Sequence, residues 1–249
     1  MKRAMIILFG LAAATAATAA PRPDAIAAAL ASPDRPAADT ERDGDRKPAQ
    51  LIAFAGIKQG ERVADIMPGG GYFTRIFSKV VGPRGKVYAL VPAELLKVAP
   101  KAADVAKAIG EAPGFANVSA LVAPAAETAT PEPVDVAWTS DNYHDVYGHS
   151  GADETARFDA AVYRMVRPGG TLIVIDHAAA PGTGETAPKT LHRIDPAIVK
   201  ARLVAAGFVF EGESPALRNP ADTHELKVFD PSIRGHTDQF VYKFRKPKR

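Results

Sequence analysis

An apolar strand that runs into an acid and then into glycines, Val63-Ala64-Asp65-Ile66-Met67-Pro68-Gly69-Gly70-Gly71-Tyr72, constrains this chain more than any other stretch. The strand ends at Asp65 or Ile66, and the glycines let a ligand approach the backbone without Cβ clashes. Behind them Phe73, Ile76, Phe77 and Val80 recur at helical spacing. Strand, glycine turn and helix together open a βαβ unit, and ligand sites of such units lie beyond the carboxyl ends of the strands.

The remaining pattern repeats that alternation. A helix opens at Arg46-Lys47-Pro48, carries Leu51, Ile52, Phe54 and Ala55 on its apolar face and closes at Gly56. Strands are predicted at 62–67, 86–91, 118–122, 134–140, 171–176, 208–211 and 239–246, with helices at 93–109, 155–166 and 196–206. Thr171-Leu172-Ile173-Val174-Ile175 shows no polar alternation, as expected of a strand covered on both faces. In the last strand Phe240, Tyr242 and Phe244 alternate with Val241, Lys243 and Arg245, and a long insert at 214–238 precedes it. The expected fold is therefore α/β, a doubly wound, Rossmann-like, mostly parallel seven-stranded sheet with an antiparallel C-terminal strand.

The first residues stand apart. Lys2 and Arg3 precede an apolar run from Ala4 to Ala20, and Ala17-Thr18-Ala19 fits a signal-peptidase site. The expected organisation is a signal peptide at 1–19, an extended lead-in at 20–45 with a short helix around Asp24 to Ala31, and one domain at 46–249. A periplasmic or secreted protein follows, with no stable membrane insertion after cleavage. The chain has no cysteine, which excludes a lipid anchor at a lipobox, disulfides and thiolate chemistry. Seven of the 31 basic residues lie in the leader or the last seven positions, which leaves 24 against 28 acidic ones. The body is mildly acidic, so no nucleic-acid partner is expected. The sequence carries no signature of an oligomeric state.

These residues resemble class I S-adenosylmethionine-dependent methyltransferases, and within them a group of exported bacterial "predicted methyltransferase" proteins. The broad resemblance covers roughly 46–246 and rests on Asp65 to Gly71, Gly85-Lys86-Val87-Tyr88-Ala89, Val134-Asp135-Val136-Ala137-Trp138 and Arg167-Pro168-Gly169-Gly170. The narrower one rests on Asn142-Tyr143-His144-Asp145, Asp176-His177, Leu191-His192-Arg193 and Thr237-Asp238-Gln239-Phe240. It implies S-adenosyl-L-methionine as cofactor, with Asp65, Gly69, Gly70 and Gly71 around its amino-acid end. A dinucleotide is disfavoured, because the third glycine of Gly-x-Gly-x-x-Gly is replaced by Thr74. Two departures stand out: Met67 occupies the usual position of the first family glycine, and strand two ends in Leu90-Val91-Pro92 without the usual ribose-binding acid. Glu94, one turn later, is the candidate replacement, and Asn142 is a further cofactor-site candidate.

Methyl transfer needs a positioned nucleophile and often a general base. Asn142-Tyr143-His144-Asp145 follows strand four and Asp176-His177 ends strand five, both at the ligand-binding edge. His144 is the first choice for a base, with Asp145, His177 and Tyr143 as further catalytic candidates. His192 and Arg193, beyond the glycine-containing stretch at 182–184, are candidates for binding a small-molecule substrate. The spacing of His144, Asp145, His177 and His192 matches no local metal motif, so no metal is expected. A non-catalytic ligand-binding protein that keeps the fold is the alternative reading.

Overall fold

A computed structural model describes residues 23–248, so the expected signal peptide at 1–19 lies outside the described residues. The element order is α1 (Pro23–Leu30), α2 (Ala37–Thr40), α3 (Asp43–Arg46), α4 (Pro48–Ala55), β1 (Arg62–Ile66), α5 (Tyr72–Val81), β2 (Lys86–Pro92), α6 (Ala102–Glu111) and β3 (Val118–Ala123). The second half runs β4 (Val134–Ser140), α7 (Tyr143–Met165), β5 (Val166–His177), α8 (Thr186–Leu191), α9 (Pro196–Ala205), β6 (Val209–Glu213) and β7 (Gln239–Arg245).

All seven strands form one sheet in the order β3-β2-β1-β4-β5-β7-β6. The pairs β1–β2, β1–β4, β2–β3 and β4–β5 are parallel, whereas β7 lies antiparallel to both β5 and β6. The chain reverses its strand order at β1, which lies between β2 and β4, and this is the switch point beside which ligands bind in open sheets. The sheet separates two apolar layers. One holds Phe73, Phe77, Ile109 and Trp138 with α4, α5 and α6; the other holds Tyr143, Phe158, Leu203 and the aromatic row Phe240, Tyr242 and Phe244. The alternation read in the last strand thus decides which face each side chain covers.

Four local differences from the sequence reading matter. The lead-in is helical rather than extended: α1 buries Ile26 and Ala29 in the core, and α2 and α3 follow directly. The helix predicted at 93–109 is a 3₁₀ turn at Ala93–Lys97 followed by α6, with Pro100 between them. β5 begins at Val166, earlier than predicted, because Val134 pairs with Val166 across an irregularity in the ladder. The helix predicted from 155 begins at Tyr143 and breaks at Gly151, whose φ of 78° and ψ of 169° suit only glycine. Among the described residues no helix is long and apolar enough to cross a membrane.

Candidate functional site

β1 delivers Asp65 to the switch point with 3% of its surface exposed. Thr74, fully buried in the first turn of α5, donates its hydroxyl to Asp65 Oδ2 at 2.6 Å. Thr74, the residue that breaks the dinucleotide pattern, is therefore the partner that fixes the acid. Burial pushes the Asp65 carboxyl up to about 6, against the opposing pull of the Thr74 hydrogen bond and of Arg46.

The turn after Asp65 is built from left-handed residues: Met67 at φ 57°, Gly69 at 55° and Gly71 at 84°. A Cβ at Gly71 would strike Ile109 Cδ1 at 2.1 Å, so that glycine lets α6 pack against the turn. Above Gly69 and Gly70 a Cβ would meet nothing within 4 Å, which leaves room for a ligand. Asn142 ties the turn to β4, its amide nitrogen donating to the carbonyls of Met67 at 3.1 Å and Ser140 at 2.6 Å. That nitrogen is therefore committed to holding the turn, and its expected role in direct cofactor contact is corrected to support. Glu94 accepts from the backbone N–H of Ala125 at 3.1 Å, so its carboxylate already has a partner where a ribose-binding acid was expected.

A cavity of about 660 Å³ has Phe73, at the start of α5, in its wall, although no residue of 65–71 lines it. His144, Asp145, His177 and His192 all line it, as do Arg42, Arg46 and Asp141. Arg46 pairs with Asp141 at 3.0 Å, and Asp141 also accepts from Gln239 Nε2 at 2.8 Å. His144 sits between two carboxylates. Its backbone N–H donates to Asp176 Oδ2 at 2.8 Å, its Nδ1 lies 2.7 Å from Asp176 Oδ1, and its Nε2 lies 3.3 Å from Asp145 Oδ1. Burial alone would lower the His144 imidazole, but Asp176 and Asp145 outweigh it and push it up to about 10. The two carboxylates thus favour the imidazolium form of His144, the residue expected first as a base. Burial moves His177 the other way, below the usual histidine range, despite Asp141 and Asp176 nearby. His177 Nδ1 lies 2.7 Å from Thr237 Oγ1, and burial likewise moves His192 below the usual histidine range.

Two further expectations are corrected. Tyr143 is 1% exposed and donates its hydroxyl to Asp159 at 2.7 Å in the layer beneath α7, away from the cavity. Arg193 is fully buried in a two-pronged pair with Asp222, at 2.8 and 3.1 Å, and donates to the carbonyls of Ala178 and Leu226. It braces the insert before β7 and cannot reach a substrate. Residues that sequence reasoning passed over include Arg42, Arg46, Phe229, Thr237 and Gln239. Thr237 and Gln239 belong to a motif already noticed but given no role, and the charged cluster from Glu41 to Lys47 reads as a solvated helix entry or, in the fold the resemblance implies, as a segment over the cofactor.

No family model matches the chain. Over 131 residues it is 33% identical to the ubiquinone/menaquinone biosynthesis C-methyltransferase UbiE of Stutzerimonas stutzeri strain A1501, across 50% of this chain and 45% of that protein. UbiE of Erwinia tasmaniensis is 32% identical over 130 residues, across 50% and 46%. The chain thus spans slightly under half the length of the curated relatives it matches. Among solved structures, a SAM-dependent methyltransferase from Aquifex aeolicus superposes with a TM-score of 0.59 at 21% identity, over 90% of this chain and 98% of that one. The [4+2]-cyclase SpnF superposes at 0.61 and 17%, over 86% and 85%. At these identities the structures establish the fold, a class I methyltransferase sheet.

Proposed function

We propose that this chain, a class I methyltransferase by fold and similar in sequence to methyltransferases, is an exported S-adenosylmethionine-dependent methyltransferase acting on a small molecule. The observation that carries the reading is the buried Asp65 beneath a turn whose Gly69 and Gly70 face open space, beside a cavity that holds a neutral histidine. The residues fit the amino-acid end of the cofactor: Asp65 supplies a negative charge where an ammonium group would sit, and the turn admits close approach. When bound, S-adenosylmethionine supplies a methyl group on a positively charged sulfur. The chain's part is to bind and orient. His177 takes the proton of an acceptor hydroxyl or thiol, the His144 imidazolium and Arg42 favour an anionic acceptor, and the buried Phe73 and Val228 exclude water.

A second reading, a ligand-binding protein on the same fold, is favoured by the strand-two end. Val91 and Pro92 offer no carboxylate there, and Glu94 already accepts from Ala125. Calorimetric titration of the chain from residue 20 onward separates the two. S-adenosylmethionine and S-adenosylhomocysteine are expected to bind saturably, NAD not at all, and Asp65→Ala is expected to abolish binding. No heat with the first two at millimolar ligand would overturn the methyltransferase reading.

A further inference from the structure

The sequence places His144 and Asp145 at the start of α7 and His192 far downstream, at the end of α8. The fold brings them together: all three offer a donor atom, and those atoms lie within 4.8 Å of one another. Asp145 Oδ1 is 3.3 Å from His144 Nε2 and 3.4 Å from His192 Nδ1. Donor atoms at the corners of a tetrahedron with bonds of about 2.0 Å are about 3.3 Å apart, so two edges already have the spacing of a zinc site.

A second observation is independent of that spacing. Asp176, with no exposed surface, holds His144 Nδ1 at 2.7 Å, which turns Nε2 towards Asp145 and His192. A carboxylate behind a histidine is the arrangement that orients metal-ligating imidazoles and raises their basicity. His192 is held as deliberately: its backbone is left-handed at φ 54°, and its ring packs on Phe229 with centroids 4.9 Å apart. Two carboxylates, Asp145 directly and Asp176 through His144, balance the charge of a dication.

We propose that His144, Asp145 and His192 form a binding site for a divalent transition-metal ion, with one coordination position open to the cavity. Two imidazoles and a carboxylate suit Zn²⁺, Co²⁺ or Fe²⁺ rather than Mg²⁺ or Ca²⁺. When bound, the ion displaces the proton that His144 Nε2 shares with Asp145 and takes over the positive charge that His144 carries in the metal-free chain. Its open position, beside His177, accepts an oxygen or sulfur donor of a small molecule; that this molecule is the methyl acceptor rests on the proposed function, whereas the metal site does not.

The test uses chelator-treated chain from residue 20 onward, titrated with Zn²⁺ by calorimetry and with Co²⁺ by visible absorption. One ion per chain is expected, with a tetrahedral cobalt spectrum. Asp176→Asn leaves all three ligands in place and is expected to lower affinity about 10- to 100-fold and alter the spectrum. His192→Ala and Asp145→Asn lower it further, while His236→Ala, in the insert before β7, changes it little. Because His192 lies in a surface turn, its variant keeps the test usable if Asp176→Asn fails to fold, which circular dichroism reports. No binding at millimolar Zn²⁺ overturns the proposal, and so does binding that survives both His192→Ala and Asp145→Asn. Metal binding without S-adenosylmethionine binding would sink the methyltransferase reading and leave the site standing.

Discussion

Asp65 is a residue whose stability cost and functional use oppose each other. Its carboxyl is raised from 3.8 to about 6 by burial, so the folded chain binds the proton more tightly than the unfolded chain does. Stability is therefore lost as pH rises from about 4 to 6 and stays flat above that, and the loss is roughly 3 kcal/mol at pH 7. Asp65→Asn keeps the shape and removes the charge. It is expected to stabilise the chain by about 2–3 kcal/mol in urea unfolding at pH 7, with the gain shrinking to about 1 kcal/mol at pH 4.5; a destabilised variant at pH 7 would contradict the buried-charge account. Two of the three cavity histidines make an opposite pair. In an NMR titration of the metal-free chain, His144 is expected to stay protonated through pH 8 while His177 is neutral by pH 7, and a neutral His144 at pH 7 would remove its imidazolium role. Residue chemistry of this kind was only half legible in the sequence. His144, Asp145 and His177 were readable as polar residues at strand ends and His192 in the loop beyond 182–184, but Tyr143 and Arg193 share those motifs and point into the protein. Neighbouring residues on a helix face about 100° apart, so once α7 begins at Tyr143 the motif divides between core and cavity.

Elements were more legible than residues, because periodicity reports burial directly. The aromatic row of β7 is an instance: Phe240, Tyr242 and Phe244 land in one layer and Val241 in the other, as alternation requires. The weak reading was α7. Its first turn is polar, and its break at Gly151 hides the continuity from Tyr143 to Met165. The segment before the break carries His144 and Asp145 to the cavity while burying Tyr143 and Val146, and the segment after it carries Phe158 and Val162 into the same core. Only glycine adopts the Gly151 backbone without strain, although a Cβ there would meet nothing within 4 Å. Gly151→Ala is thus expected to cost about 1–3 kcal/mol from backbone strain alone. Thermal unfolding measures the cost, and an unchanged midpoint would show that the break is not held. Arg193→Ala tests the element around it: removing one member of a buried pair costs about 3–5 kcal/mol, whereas a residue reserved for substrate would cost almost nothing.

At the scale of the whole molecule, the segment before β1 belongs to the site rather than leading up to it. Arg35 pairs with Asp43, Asp43 accepts from the Tyr72 hydroxyl at 2.6 Å, and Arg75 pairs with Asp39 at 2.8 Å, so α2 and α3 are pinned to the helix that begins at the glycine turn. Arg46 reaches across to Asp141 beyond β4 and lies over the Tyr72 ring at 5.0 Å. The sequence left this open, because a run of alternating charges reads as a solvated helix entry until the partners 29 to 95 residues away are in place. Among the described residues every strand lies after the segment, so the strand pairing itself uses none of it. Deleting residues 20–46 removes Ile26 and Ala29 from the core, worth about 3 kcal/mol of burial, which for a chain of this size lowers the melting temperature by roughly 6–12 °C. Ligand binding should suffer far more, because the deletion strips Arg42, Asp45 and Arg46 from the cavity wall and frees the turn beneath them. The double variant Asp43→Asn, Arg46→Gln separates the two effects. It keeps Ile26 and Ala29 in place, so the melting temperature moves by only a few degrees while calorimetric affinity for S-adenosylmethionine drops by about tenfold or more, on the order of one charge-assisted contact. Unchanged affinity in that variant would return the segment to the role of a passive cover.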